Sequence, residues 1–243
     1  MDKSMNESIS SININCDLGE GIGNDADLMP LLTSCNIACG GHFGDESTMA
    51  KTIRLAAANK VQIGAHPSYP DSKNFGRYVV DMSGNKLQKS LVSQIESLRK
   101  QCDKAGEVLS HVKPHGALYN ECFRNTEVAE VVLESLLQVD QNLILYAPFH
   151  SMISELAIQS GLTVKYEVFA DRNYNDDLSL VSRQTQLAMV KTKDVVEHVS
   201  RMVLHQQVKT LTGMLVSIRA DTVCVHSDHP EALKILKLLR STS

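Results

Sequence analysis

The residues best suited to chemistry fall in four glycine- or proline-bounded clusters along the first half of the chain. They are Asn15-Cys16-Asp17-Leu18-Gly19-Glu20-Gly21, Cys39-Gly40-Gly41-His42-Phe43-Gly44-Asp45, His66-Pro67-Ser68-Tyr69-Pro70-Asp71 and Lys113-Pro114-His115-Gly116-Ala117-Leu118-Tyr119-Asn120. Asp17 and Glu20 offer two carboxylates in one loop, and a desolvated carboxylate can serve as a general base near neutral pH. Their structural alternative is to cap a helix beginning near Asp25. His42 follows two glycines, which let a backbone approach a ligand closely, and Asp45 either joins it or caps the helix expected from Glu46 to Asn59. His66 precedes a proline, so the chain there stays extended and its ring is expected in the mouth of the fold. Lys113 and His115 are two apart in an extended X-Pro-X segment, so a cation and a tunable acid or base project to one side.

Later loops add Arg77, Asp171 and Arg172, and Asp228. Arginine suits bidentate recognition of carboxylate or phosphate, while the adjacent Asp171-Arg172 pair also reads as a structural ion pair. Asp228 either meets a ligand or caps the closing helix. His111, His150, His198, His205 and His229 lie in helix, strand or helix-opening contexts and read as structural. The Cys35-x3-Cys39-x2-His42 spacing resembles a zinc motif, but the two cysteines share a strand face and His42 lies beyond it in a loop, so no structural zinc is expected.

The elements that must position these groups alternate strictly. Short β-like runs are expected at 12–16, 34–39, 61–65, 108–112, 143–146, 163–168 and 222–225, with helical spacing between them. Leu87, Leu91, Ile95, Leu98 and Cys102 mark one apolar helix face opened near Asp81 or Ser83, and the chain closes on a helix over 231–240. The segment 208–218, with Thr212-Gly213 at its centre, reads as an inserted hairpin. Such alternation implies βα units and a parallel sheet, which a barrel or an open doubly wound sheet would satisfy equally. Nearly every polar cluster follows a strand directly, where parallel α/β folds place their active sites.

Composition sets the outer bounds. A chain of 243 residues suits one α/β barrel, and a polar extension, 1–11, is expected ahead of a single domain over 12–243. The net charge of −4 is scattered, which argues against nucleic acid as a partner. No apolar run approaches the roughly 20 residues needed to span a bilayer, and residues 1–11 carry no signal-peptide core, so a cytoplasmic protein with free thiols is expected.

The motifs as a set resemble the LamB/YcsF family from about Ile12 to near the C-terminus. The resemblance is carried, in order, by Asn15-x-Asp17-Leu18-Gly19-Glu20, Asn36-Ile37-Ala38-Cys39-Gly40-x-His42-x-Gly44-Asp45, Gly64-Ala65-His66-Pro67 and Phe75-Gly76-Arg77. It continues through His111-Val112-Lys113-Pro114-His115-Gly116-Ala117-Leu118-Tyr119-Asn120 and Glu167-Val168-Phe169-Ala170-Asp171-Arg172. Gly41, Phe43 and Ser227 depart from the family pattern, which bears on pocket shape more than on chemistry. The resemblance implies a distorted seven-stranded parallel β/α (TIM-like) barrel, similar to polysaccharide deacetylases. It also implies one component of a three-part enzyme, with B and C subunits, that couples ATP hydrolysis to the opening of 5-oxoproline to glutamate. ATP and its Mg would then act through the complex, because the chain has no glycine-rich Lys-Ser or Lys-Thr phosphate loop. The expected catalytic groups are Asp17, His42, His66, Lys113 and His115. Glu20, Asp45, Arg77, Tyr119, Asp171, Arg172 and Asp228 are expected to bind substrate. Two rival expectations are a metal-dependent deacetylase or amidohydrolase holding an ion on Asp17, His42 and His66, and a non-catalytic ligand-binding scaffold. Homo-oligomerisation stays open.

Overall fold

The computed structural model describes residues 12–241, so the expected N-terminal extension lies outside the described residues. In chain order the elements are β1 (Asn13–Leu18), α1 (Asp25–Leu28), β2 (Ser34–Ala38), α2 (Glu46–Ala58), β3 (Gln62–His66), α3 (Gly84–Ala105), β4 (Leu109–Val112), α4 (Gly116–Arg124) and α5 (Thr126–Val139). They continue with β5 (Ile144–Pro148), α6 (Met152–Gln159), β6 (Val164–Phe169), α7 (Val195–Leu204), β7 (Gln207–Lys209), β8 (Leu215–Ser217), β9 (Thr222–Cys224) and α8 (Ala232–Ser241).

Strands β1 to β6 and β9 pair in parallel and close into a barrel, with β9 lying between β6 and β1. Closure settles the choice that alternation alone left open. β7 and β8 form the expected antiparallel hairpin outside it. The long helix opens after Ser83 and ends at Gly106, as its apolar spacing and the glycine C-cap require. Among the described residues no helix is long and apolar enough to cross a membrane.

Side chains alternate along each strand, so the barrel has two faces with different chemistry. Ile14, Cys16 and Leu18 of β1 and Cys35 and Ile37 of β2 are fully buried and belong to the apolar layer shared with Ile53, Leu91, Ile95 and Leu236 of the outer helices. The opposite face carries Asn15, Asp17, Asn36 and His111. Barrel interiors are usually filled by branched apolar residues; here a polar ladder fills the space. Asn15 Nδ2 donates to Thr222 Oγ1 at 2.9 Å, and Asn36 Nδ2 donates to Asn15 Oδ1 and Asp17 Oδ1, each at 2.8 Å. His111 Nε2 lies 2.9 Å from Asn36 Oδ1, so its structural reading holds. Each member satisfies the next, which is the condition for burying polar groups without a large penalty.

The ladder needs one position with no side chain. A Cβ at Gly64 would stand 2.1 Å from His111 Nε2, so the ring occupies the space any larger residue would fill. Gly64→Ala is therefore expected to destabilise the chain by about 1–3 kcal/mol through overpacking. Urea unfolding measures this, and an unchanged midpoint would contradict the packing described.

Candidate active site

Strand ends and the loops after them surround a cavity of about 520 Å³ at the C-terminal mouth of the barrel. The walls include Asp17, Glu20, His66, Lys113, His115 and Arg172, which are buried, and the more exposed Arg77, Arg183, His226 and Asp228. Asp17 is the next-to-last residue of β1, His66 ends β3, and Lys113 and His115 follow β4, so parallel strands deliver separate segments to one place. Gly116 has φ +56, and a Cβ there would stand 2.6 Å from Gly76 O. Its absence lets Gly76 O accept from Ala117 N at 3.0 Å and brings the Phe75–Arg77 turn against the start of α4. Gly19 N donates to Asp25 Oδ2 at 3.0 Å, closing the loop that carries Glu20.

Lys113 lies at the centre of the inner wall, 2 % exposed. Its Nζ donates to Asp17 Oδ1 at 2.9 Å and to Cys224 Sγ at 3.1 Å, and it forms an ion pair with Glu167 Oε1 at 2.9 Å. Burial alone would push the lysine down, but Asp17, Cys224 and Glu167 outweigh it and hold the ammonium well above its usual pKa. Burial likewise works to raise Asp17, and His66 and Lys113 reverse it, so the carboxyl lies well below its usual range. Glu20 goes the other way: burial and the neighbouring Asp17 charge push it up to about 7. Two carboxyls in one cavity thus differ in proton affinity, the pattern by which a site separates acid and base roles.

Three histidines crowd the same wall. His66 Nε2 lies 3.3 Å from Asp17 Oδ2, and His115 Nδ1 lies 2.9 Å from His66 Nε2. His42 Nε2 lies 3.0 Å from Glu20 Oε1, and its ring stacks on His115 at 3.7 Å. Burial, together with the neighbouring His66, lowers His42 to about 3, and burial, His66 and His42 hold His115 well below its usual value. His115 Nε2 donates to Phe75 O at 2.9 Å. Phe75 itself is held at φ 57, a backbone conformation that costs energy for a bulky residue and so marks an over-determined loop.

The expected residues separate into three groups. Asp17, Glu20, His66, Lys113, His115, Tyr119, Arg77, Arg172 and Asp228 line the cavity. His42 and Asp171 do not: both are fully buried behind it. His42 supports Glu20, and Asp171 contacts His226 rather than forming a simple pair with Arg172, its two oxygens each 3.0 Å from His226 Nδ1. Asp45 lies farthest from expectation. It is exposed and N-caps α2 in a capping box with Thr48, so the local helix-start chemistry explains it and the substrate contact expected of it has no geometric support.

The structure adds residues that were not among the expected site groups. Glu167 balances Lys113, His226 stands between Asp171 and the cavity, and Arg183 joins Arg77 in holding Asp228 Oδ2 at 2.7 and 2.9 Å. Alternation was the available signal for Glu167, which shares a strand face with Phe169 in β6. His226 follows the last strand as Lys113 follows β4. Arg183 sits in an irregular loop with no periodic cue. Tyr119 also borders a second cavity, of about 270 Å³, whose wall includes Glu167, Phe169 and Tyr174. All six cysteines are buried free thiols, and Cys35 and Cys39 form no cluster with His42.

A closed parallel β/α barrel with ionised and imidazole groups converging at the C-terminal strand ends defines an enzyme-like α/β barrel. Residues 12–243 match the LamB/YcsF family model, and the chain belongs to that family. It is 42% identical to a Pyrococcus abyssi protein named as the A subunit of 5-oxoprolinase, over 94% of this chain and 92% of that one. A Staphylococcus epidermidis protein of the same name is 40% identical, over 95% and 94% of the two chains. Among solved structures, the lactam utilization protein from Thermus thermophilus superposes with a TM-score of 0.89 at 33% identity, covering 95% of each chain.

Removing the Asp45 cap by Asp45→Ala is expected to lower the melting temperature while leaving ligand binding in the cavity unaltered. Thermal unfolding and ligand titration of one preparation check both. A variant that melts as wild type but loses ligand binding would return Asp45 to the site.

Proposed function

We propose that this chain is the A component of an ATP-dependent 5-oxoprolinase and supplies the pocket in which the lactam ring of 5-oxoproline is opened to L-glutamate. The observation that carries this reading is the convergence of Asp17, Glu20, His66 and His115 in one cavity, in a chain whose near-full-length relatives bear that name.

Opening a lactam adds water across the C–N bond: the carbonyl carbon gains oxygen, and the ring nitrogen leaves with a proton. Both proton movements need positioned groups, and Asp17 with His66 and His115 is placed to handle them. Lys113 donates to both oxygens of Asp17 and to Cys224 Sγ and is ion-paired with Glu167, so its task is to hold the Asp17 carboxylate rather than to grip substrate. Recognition of the 5-oxoproline carboxylate then falls to arginine. Arg172 is buried in the cavity wall and uses Nε and Nη2 on the carbonyls of Ala188 and Val181, which leaves further guanidinium donors for a carboxylate.

The chain carries no glycine-rich phosphate loop, and Lys113 is committed within the wall, so no ATP step is assigned to this cavity. ATP and its Mg are assigned to the B and C subunits, which would deliver a lactam phosphorylated on its carbonyl oxygen; one water then opens the ring to an acyl phosphate and a free amine, and a second releases inorganic phosphate to leave L-glutamate. A cytoplasmic setting accords with six buried free thiols.

The test is ATP-dependent glutamate release from all three subunits, omitting each in turn. Loss of activity is expected without this chain, and a fall of about 100-fold or more with Asp17→Ala or His115→Ala. Wild-type turnover by B and C alone, or by either variant complex, would contradict the assignment.

A further inference from the structure

His66 Nε2 and His115 Nδ1 face each other at 2.9 Å, and the opposite nitrogen of each ring is already committed. His66 Nδ1 lies 2.8 Å from Lys113 O, and His115 Nε2 lies 2.9 Å from Phe75 O. A carbonyl only accepts, so both of those nitrogens carry the hydrogen. In neutral rings the two facing nitrogens are therefore both bare lone pairs, an arrangement that repels unless a metal ion or an extra proton lies between them.

Glu20 Oε1 completes a triangle with them, 3.5 Å from His115 Nδ1 and 3.9 Å from His66 Nε2. Bonds of about 2.0–2.1 Å at tetrahedral angles would separate ligand atoms by about 3.3–3.4 Å, a value the three edges bracket. The rings of His66 and His115 stand at 83°, so their in-plane lone pairs can converge on one point. His42 also brings a nitrogen within 4.8 Å of Glu20 and His115. Its ring is stacked on His115 at an angle of 7°, however, so the two cannot both point in-plane at one ion. His42 instead suits outer support, with Nε2–H donated to Glu20 Oε1.

We propose that Glu20, His66 and His115 bind a divalent transition-metal ion of the zinc class. Two imidazoles and one carboxylate favour zinc, iron, cobalt or nickel over magnesium and calcium, which prefer all-oxygen sites. The two carbonyls and His42 supply the outer contacts that fix ring orientation and ligand basicity in metal sites. All three ligands line the cavity, so the remaining coordination position faces it, and Asp17 Oδ2, 3.3 Å from His66 Nε2, stands beside that position. With the ion bound, all four ring nitrogens of His66 and His115 are committed, so the proton transfers of the reaction proposed above would fall to Asp17, whose Oδ2 faces the same space.

The test uses the full chain, stripped with chelator and titrated with Zn²⁺ and with Co²⁺, followed by calorimetry and elemental analysis. One ion per chain is expected, with a Co²⁺ spectrum of nitrogen and oxygen ligation and no thiolate charge-transfer band. Glu20→Gln and His115→Ala should each weaken binding by about 10-fold or more, with circular dichroism confirming that the variants remain folded. His42→Ala, which spares all three ligands, should weaken binding less, and serves if a ligand variant fails to fold. Absence of stoichiometric uptake by the folded wild type would overturn the proposal and assign the gap to a shared proton. Uptake unchanged in all three variants would overturn it too, placing the ion elsewhere. Metal bound normally by a chain that proves inactive with B and C would sink the oxoprolinase reading alone.

Discussion

The site is organised by one buried cation. The Lys113 ammonium spans β1 and β6 through Asp17 and Glu167, two carboxylates that would otherwise share a desolvated space with no compensating charge. A buried ion pair gains little over an apolar substitute, but removing one partner leaves the others uncompensated. Lys113 therefore ties barrel closure to site chemistry: the same contact that neutralises the mouth of the barrel holds Asp17 ionised and oriented towards His66.

The polar ladder beneath it extends that constraint downward. Asn36 and Lys113 both donate to Asp17 Oδ1, and Oδ2, which also accepts from Lys113 at 3.3 Å, faces His66. Asn15, Thr222 and His111 continue the chain of hydrogen bonds into the barrel. An apolar interior would pack as well, but it could not fix the direction of a carboxylate. The outer helices supply the apolar burial, so the stability of the fold and the polarity of its interior are carried by opposite faces of the same strands.

Much of this was legible in the sequence because strand and helix periods differ and because parallel folds gather chemistry after strands. The seven barrel strands and the 208–218 hairpin follow from those two facts, and most of the residues expected to form the site do line the cavity. Barrel closure was not legible in the alternation, since an open sheet has the same rhythm. Asp45 and His42 show a second limit. Both follow β2 in a polar loop, yet one caps a helix in solvent and the other is fully buried, a difference set by loop path rather than residue type. Glu167 and His226 were hidden for a related reason. Their roles exist only through partners distant in sequence, Lys113 and Asp171, which barrel closure brings into contact.

The dependence on Lys113 is most directly tested by Lys113→Met, measuring denaturant unfolding and ATP-dependent glutamate release with B and C on one preparation. The account predicts a loss of about 3–5 kcal/mol in stability, because Asp17 and Glu167 are left buried without their counter-charge. It also predicts loss of turnover under conditions where the variant remains folded. A variant with wild-type stability and wild-type turnover would contradict it.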